Sequence, residues 1–484
     1  MILGINSQNH DASMALVDGD KILWAAHSER YSRRKNDTML DIDMVREMRE
    51  YGNPTKIVWF EQPWPKNLRR LYSGQRPWIV NPRDQLRLVG LNTLPIEYVK
   101  HHESHAAAGF YTSGFKDAAV LVVDAIGEWD TVSIWSADHT GLSKVWNRRY
   151  PNSIGLFYTA FTQWLDLKPN EEEYILMGMA ALGKPSIVDV IKQDFFSSFN
   201  APDFKLRHDL HHGCRWWDAP KGVSQYDVAA SVQAIMEEYL LGTVKQMKTM
   251  LPSKNLIFMG GCALNCVANT KIAELGLYDN IWLMPNPGDA GSAIGAVAAY
   301  TKQHLTWEGP YLGTDIDREL DIDGIIKDLM AGKVVAVANG RAEFGPRALG
   351  NRSLLCDPRG PDAKDRMNAL KRREAFRPFA PAVLEEYAHE YFDLPVKSSP
   401  YMQFVAQCKR PDLLPGICHV DNTSRVQTVN HADNPKFRAL LEAWHQASGC
   451  PILMNTSLNV KGEPLVNSWA DAQRWERING VKVY

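Results

Sequence analysis

The 484-residue sequence has no Cys-x-x-Cys pair, no low-complexity tract and little net charge. Its seven cysteines are scattered, which excludes a zinc-finger or disulfide framework and fits a reducing setting with free thiols. A formal net charge of −2 excludes polyanion binding by bulk charge. No apolar run approaches the roughly 20 residues a membrane-spanning helix needs. The start, "MILGINSQNHD", has no basic segment leading into an apolar one, so no signal peptide is read and a cytoplasmic location is expected. What remains is an ordinary globular composition, 45% hydrophobic and 23% charged, long enough for two or three domains.

The chain opens as strand, loop, strand, tight turn, strand: "MILGIN", "NHD", "ASMALV", "DGD", "KILWAAH". The same layout returns at "AAVLVVD", "AIGEWD", "TVSIWSA", "DHTG", "LSKVWN", which predicts a duplicated nucleotide fold with an acidic residue at each first loop. Two strand–turn–helix units follow. "NLIFMGGCALNCVAN" carries Gly261 and Asn265, and "NPGDAGSAIGA" carries Gly288 and Gly291. Small residues there let a ligand approach the backbone at a helix start, or simply let helix and sheet pack closely. A boundary is expected at "TWEGPYLGTDIDREL", dividing the chain into 1–310 and 311–484, the second part reading as a separate α+β domain.

"HHESHAAAGF" places His101 and His105 four residues apart, on one face of any helix. They are either polar residues at a helix mouth or a chelating pair. With Asp124 and Asp289 at strand ends they make a donor set for iron, manganese or zinc. "HDLHHGC" (208–214) reads as a surface loop. "GRAEFGPRALGNRS" supplies Arg341, Arg347 and Arg352, and "ALKRREAFRPFAP" supplies Lys371, Arg373 and Arg377. Guanidiniums among Gly, Pro and aromatic residues suit bidentate phosphate binding. Asn455 and Ser457 in "NTSLN" reach the same place. The alternative is internal ion pairing with Glu343 and Glu374.

In order, "NHDAS", "SERYSRRKND", "HHESHAAAGF", "VVDAIGEWDT", "MGGCALNCVAN", "NPGDAGSAIGA", "GRAEFGPRALGNRS", "FRPFAPA" and "NTSLNVKGEP" resemble the motif set of the O-carbamoyltransferases of nodulation and tobramycin type. The resemblance implies an α/β chain. Its N-terminal part would be an actin-like ATPase domain (duplicated RNase H-like, Kae1-like), its C-terminal part an α+β YrdC-like domain. It implies that the C-terminal domain makes carbamoyl-adenylate from carbamoyl phosphate and ATP, and that the N-terminal domain moves the carbamoyl group to an alcohol. His101, His105, Asp124 and Asp289 would hold a divalent metal, Fe²⁺ first, Mn²⁺ or Zn²⁺ as substitutes, with Mg²⁺ accompanying ATP. His10 would be the general base at the acceptor, oriented by Asp11. Gly261, Asn265, Gly288 and Gly291 would approach the nucleotide. Arg341, Arg347, Lys371, Arg373, Arg377, Asn455 and Ser457 would hold carbamoyl phosphate and ATP. Ile175 stands where the family carries a basic residue, and Ala181–Leu182–Gly183 where it carries Pro-Tyr-Gly.

For the acceptor, "PKNLRRLYSGQRPWIVNPRDQLRLVG" (65–90) sets Lys66, Arg69, Arg70, Arg76, Arg83 and Arg87 against Asp84 alone, with Tyr72 and Trp78 interleaved. That pattern reads first as a solvated basic helix that also packs against the protein, and otherwise as a site for a hydroxymethyl-pyrimidine nucleotide or DNA, through phosphate contacts and base stacking. A sugar or natural-product hydroxyl is the alternative. Hydrogenase-maturation carbamoyl transfer would require upstream CxxC fingers, which are missing. A non-catalytic actin-like nucleotide-binding regulator would have no use for His10, the four metal donors and the arginines together. A homodimer is compatible with the sequence.

Overall fold

A computed structural model describes residues 1–374 and 377–484. Phe376, the first residue of "FRPFAPA", lies outside them. The chain divides into two compact units: Met1–Ser28 with Asn36–Trp307, and Glu29–Lys35 with Glu308–Tyr484. Seven residues of the "SERYSRRKND" motif thus belong to the second unit, where Arg33 donates to the carbonyls of Leu465 and Pro464.

The first unit holds β1 (Ile2–Asn6), β2 (Ser13–Asp18), β3 (Lys21–His27), β4 (Lys56–Trp59) and β5 (Ile96–Tyr98) in one sheet, ordered β3-β2-β1-β4-β5. β6 (Ala118–Val123), β7 (Asp130–Asp138) and β8 (Gly141–Arg149) belong to a second sheet. A hairpin of β9 (Phe196–Asn200) and β10 (Asp203–Leu206) stands apart. β11 (Asn255–Met259) and β12 (Asn280–Trp282) complete the second sheet, ordered β12-β11-β6-β7-β8. In both sheets the first three strands pair antiparallel and the last two join in parallel. Order and direction match strand for strand, so the duplication is real and the unit is a doubled RNase H-like, actin-like domain.

Two buried helices lie close to these sheets, His101–Ser113 and Ser292–Thr301. Apolar and small residues surround the first helix on nearly every side, as expected of a core helix. Gly295 permits the crossing: an added Cβ would sit 1.9 Å from the Ser104 carbonyl oxygen. Gly109 does the same against Ile257 and Met259 of β11. The closeness carries Asp289, just before the second helix, up to the first turn of the other.

The second unit holds β13 (Tyr311–Ile316), β14 (Val335–Ala338), β15 (Gly340–Glu343), β16 (Arg352–Cys356), β17 (Ala380–Leu384), β18 (Phe392–Asp393), β19 (Val405–Cys408), β20 (Thr423–Arg425), β21 (Gln427–Val429) and β22 (Ile452–Ser457). Its main sheet runs β14-β16-β22-β17-β21, with apolar clusters built around Trp475 and around Trp444. This is the expected α+β architecture. Among the described residues, no helix is long and apolar enough to cross a membrane.

Candidate functional site

His101 and His105 occupy the first turn of their helix, so both imidazoles point to one spot. Asp124 follows the end of β6 and Asp289 opens the turn into Ser292–Thr301. His101 Nε2 lies 3.0 Å from Asp124 Oδ2, 3.3 Å from Asp289 Oδ1 and 3.1 Å from His105 Nε2. His105 Nε2 lies 3.2 Å from Asp289 Oδ1 and 3.6 Å from Asp124 Oδ2. One donor atom from each residue falls within 4.8 Å of the others.

These separations test whether the cluster could hold a metal ion. Donors about 2.0–2.2 Å from a first-row ion stand about 3.0–3.5 Å from each other at the edges of a tetrahedron or octahedron. The cluster has that spacing. Two buried imidazole nitrogens 3.1 Å apart cannot both present protons to each other, and the two carboxylates beside them call for positive charge, from imidazolium or from a metal ion. The His₂Asp₂ set suits iron, manganese or zinc.

Three of the four, His105, Asp124 and Asp289, are hydrogen-bonded from behind. His105 Nδ1 faces the Pro287 carbonyl at 3.2 Å and Ser292 Oγ at 3.3 Å, which leaves the Nε2 lone pair for the centre. Asn9 Nδ2 donates to Asp289 Oδ2 at 2.7 Å, and Gly261 N donates to Asp124 Oδ1 at 3.3 Å. Glu61, paired with buried Lys66, sits 3.7 Å from His101 Nδ1. Glu128 accepts from the backbone N–H groups of His101 and Gln62. His102 points away, to Ser133 Oγ. Burial opposes the charge on Asp124, yet the two histidines hold it well below the usual carboxylate range. The histidines of 208–214 join no such cluster among the described residues.

His10 and Asp11 lie in the loop between β1 and β2, pinned by Asn6 Nδ2 to the carbonyls of His10 and Asp11. Asp11 adopts φ 48°, a left-handed conformation strained for a non-glycine residue. His10 Nδ1 is 2.9 Å from Asp11 Oδ2. Burial lowers the imidazole's pKa, but Asp11 and then Asp289 outweigh it and push it up to about 10. Gly261 and Gly288 face each other at the ends of β11 and β12: a Cβ on Gly288 would reach 4.0 Å from the Gly261 Cα. The Gly288 carbonyl accepts from Gly291 N. Asn265 is engaged otherwise, capping its helix at Ala268 N and exchanging both amide bonds with Gln233.

In the second unit the expected cations separate by environment. Arg341 donates to the carbonyls of Leu312 and Gly313. Arg352 is fully buried and donates to five carbonyls, those of Thr314, Asn339, Gly340, Asn351 and Asn467. Arg373 donates to Asn368 and stacks on Phe379 at 3.9 Å. Arg377 pairs with Glu374 at 3.3 Å. Arg347 is half-buried in the turn between β15 and β16. Glu343 is not the ion-pair partner expected: its Oε1 takes the backbone N–H groups of Leu349, Asn351 and Arg352 and shapes the Arg347 turn. Lys371 is buried against the Ser457 carbonyl, Ser457 Oγ at 3.0 Å and Asn459 Oδ1 at 2.6 Å. Burial, then Arg373, Arg377 and Lys35, push its pKa well below the usual lysine value. Asn455 donates to Gln427, and its Oδ1 is buried without a hydrogen-bond partner.

The sequence reading passed over Asn9, Glu61, Glu128 and Asn459. Asn9 and Asn459 stand inside quoted motifs, and Glu61 follows an apolar strand as Asp124 does. Only the tertiary structure gives them partners.

Residues 78–298 match the model for the carbamoyltransferase N-terminus and residues 326–483 that for the carbamoyltransferase C-terminus. The nodulation protein NolO of Bradyrhizobium diazoefficiens is 34% identical over 77% of this chain and 75% of its own length. NolNO of Sinorhizobium fredii is 31% identical over 96% and 76%. The 3'-hydroxymethylcephem-O-carbamoyltransferase of Streptomyces clavuligerus is 27% identical over 98% and 96%. Two domain models in the right order and near full-length relatives give one conclusion: the chain belongs to the carbamoyltransferase family.

Proposed function

We propose that this carbamoyltransferase makes carbamoyl-adenylate and transfers its carbamoyl group to a hydroxyl of an acceptor. In the second unit, water cleaves carbamoyl phosphate into carbamate and phosphate. A carbamate oxygen then attacks the α-phosphorus of ATP and pyrophosphate leaves. Lys371, Ser457, Asn459 and Arg347 offer the cation and hydroxyl contacts for these anions, with Arg373 and Arg377 at the rim. Arg341 and Arg352 serve the backbone of the turn instead. In the first unit, His101, His105, Asp124 and Asp289 would hold a divalent metal, which supplies positive charge for the adenylate phosphate when bound. His10 faces the acceptor with Asp11 behind it. A pKa of about 10 makes it an imidazolium at neutral pH. As a general base it therefore needs the Asp289 charge compensated, since that charge contributes to the rise.

The four-donor cluster carries this reading. The relative named for a hydroxymethylcephem acts on a hydroxyl, and the same acceptor group is proposed here. Lys66, Arg69 and Arg70 of the basic stretch are buried among internal partners: Glu61, Gln75 with the Glu128 carbonyl, and the Pro77 carbonyl. That takes half of the stretch's cations from a nucleotide or DNA acceptor and supports a sugar or natural-product hydroxyl.

The test omits the acceptor. With ATP, carbamoyl phosphate and Fe²⁺ or Mn²⁺, pyrophosphate should appear only when carbamoyl phosphate is present, and Lys371→Ala should abolish it. ATP binding without carbamoyl-phosphate-dependent turnover, with any metal, would favour the nucleotide-binding regulator.

A further inference from the structure

The helix Pro63–Tyr72 is inside out. Its inward face carries Lys66, Arg69 and Arg70, only 1–5% exposed. Its outward face carries Trp64, Leu68, Leu71 and Tyr72, spaced at i, i+4, i+7 and i+8. Trp78 and Ile79 extend this face, because Arg70 Nε donates to the Pro77 carbonyl and Asn67 exchanges two hydrogen bonds with Val80. These six side chains are 48–76% exposed. They make an exposed apolar stripe, and such stripes mark interaction sites. Arg76, Arg83 and Arg87 of the same stretch are exposed too, Arg87 paired with Asp84 at 3.4 Å. Arg76 lies over the Trp78 ring at 5.1 Å.

We infer that this face docks on an anionic lipid surface. Each candidate occupant must accept both chemistries. A second copy placed across a twofold axis would cover the apolar stripe but set arginines against arginines, which costs affinity. A nucleic acid would answer the three arginines and leave the apolar area in water. A lipid surface answers both: Trp and Tyr rings suit the headgroup boundary, leucine and isoleucine enter the acyl edge, and arginines meet anionic headgroups. The inward cations give the fold a reason for the inversion. They fasten the helix to Glu61 and Glu128, next to His101, and so free its apolar side to face outward. The inference stands independently of the carbamoyl-transfer reading.

Flotation of the full chain with vesicles tests it. The probes are phosphatidylcholine alone and phosphatidylcholine with a minority of phosphatidylglycerol. The protein should float with the anionic vesicles and lose this with added salt. Trp64→Ser/Leu68→Ser/Ile79→Ser should remove flotation with the anionic vesicles. Arg76→Glu/Arg83→Glu should weaken the anionic binding roughly 25-fold or more at about fivefold per cation. All these positions are exposed, so thermal melts should match the parent. Wild-type protein that floats with neither vesicle, or an apolar variant that floats like wild type, overturns the proposal. A dimer in light scattering that the apolar variant dissolves would assign the face to a second copy and overturn it equally.

Discussion

Asn9→Ala is the most discriminating change at the four-donor cluster. The Asn9 amide donates at 2.7 Å to Asp289 Oδ2, the oxygen turned away from the histidines. Removing it leaves all four donors in place but frees one carboxylate to rotate. Partners of this kind are worth about 10–100-fold in metal affinity, or roughly 1.4–2.7 kcal/mol. His105→Ala deletes a donor and should cost far more. His102→Asn should cost little, because its ring turns to Ser133. The assay is metal content after dialysis, followed by chelator competition with Fe²⁺, Mn²⁺ and Zn²⁺. Wild type should carry one ion per chain. Asn9→Ala should bind one ion 10–100-fold more weakly, within the same approximate range, and His105→Ala should be nearly metal-free at the same free-ion level. Equal affinity in wild type and His105→Ala would refute the assignment, whatever the activity. Equal affinity in wild type and Asn9→Ala would refute only the role of the outer partner.

The His10–Asp11 pair makes a pH prediction. Its raised imidazole pKa contributes stability that is complete below 6.5 and is lost as pH climbs through about 10. Thermal melts of metal-free protein should decline over that window, and Asp11→Asn should flatten the decline. Separately, His10→Asn should abolish carbamoyl transfer while leaving pyrophosphate release intact. Arg352→Met strands five carbonyls, those of Asn339 and Asn467 in buried hydrogen bonds, and should cost about 3 kcal/mol or more, lowering Tm by roughly 6–12 °C at about 2–4 °C per kcal/mol. Arg341→Met, nearer the surface, should cost less.

The sequence by itself determined the doubled strand–loop–hairpin, because strand alternation and turn residues are local signals that survive without neighbours. It also pointed to the four residues of the cluster, because a helix brings residues four apart onto one face whatever surrounds it. Cations were different. Arg341, Arg347 and Arg352 look alike in one motif, yet one turns to β13 carbonyls, one sits half-buried at the turn and one disappears into five carbonyls. The stretch 65–90 read as basic, and folding turned three of its cations inward and its apolar residues outward. A charge's meaning depends on what packs against it, and those partners come from residues tens or hundreds of positions away. Glu61, Asn9 and Asn459 acquire their roles in the same manner. The tertiary structure alone decided which charges face a ligand and which hold the fold.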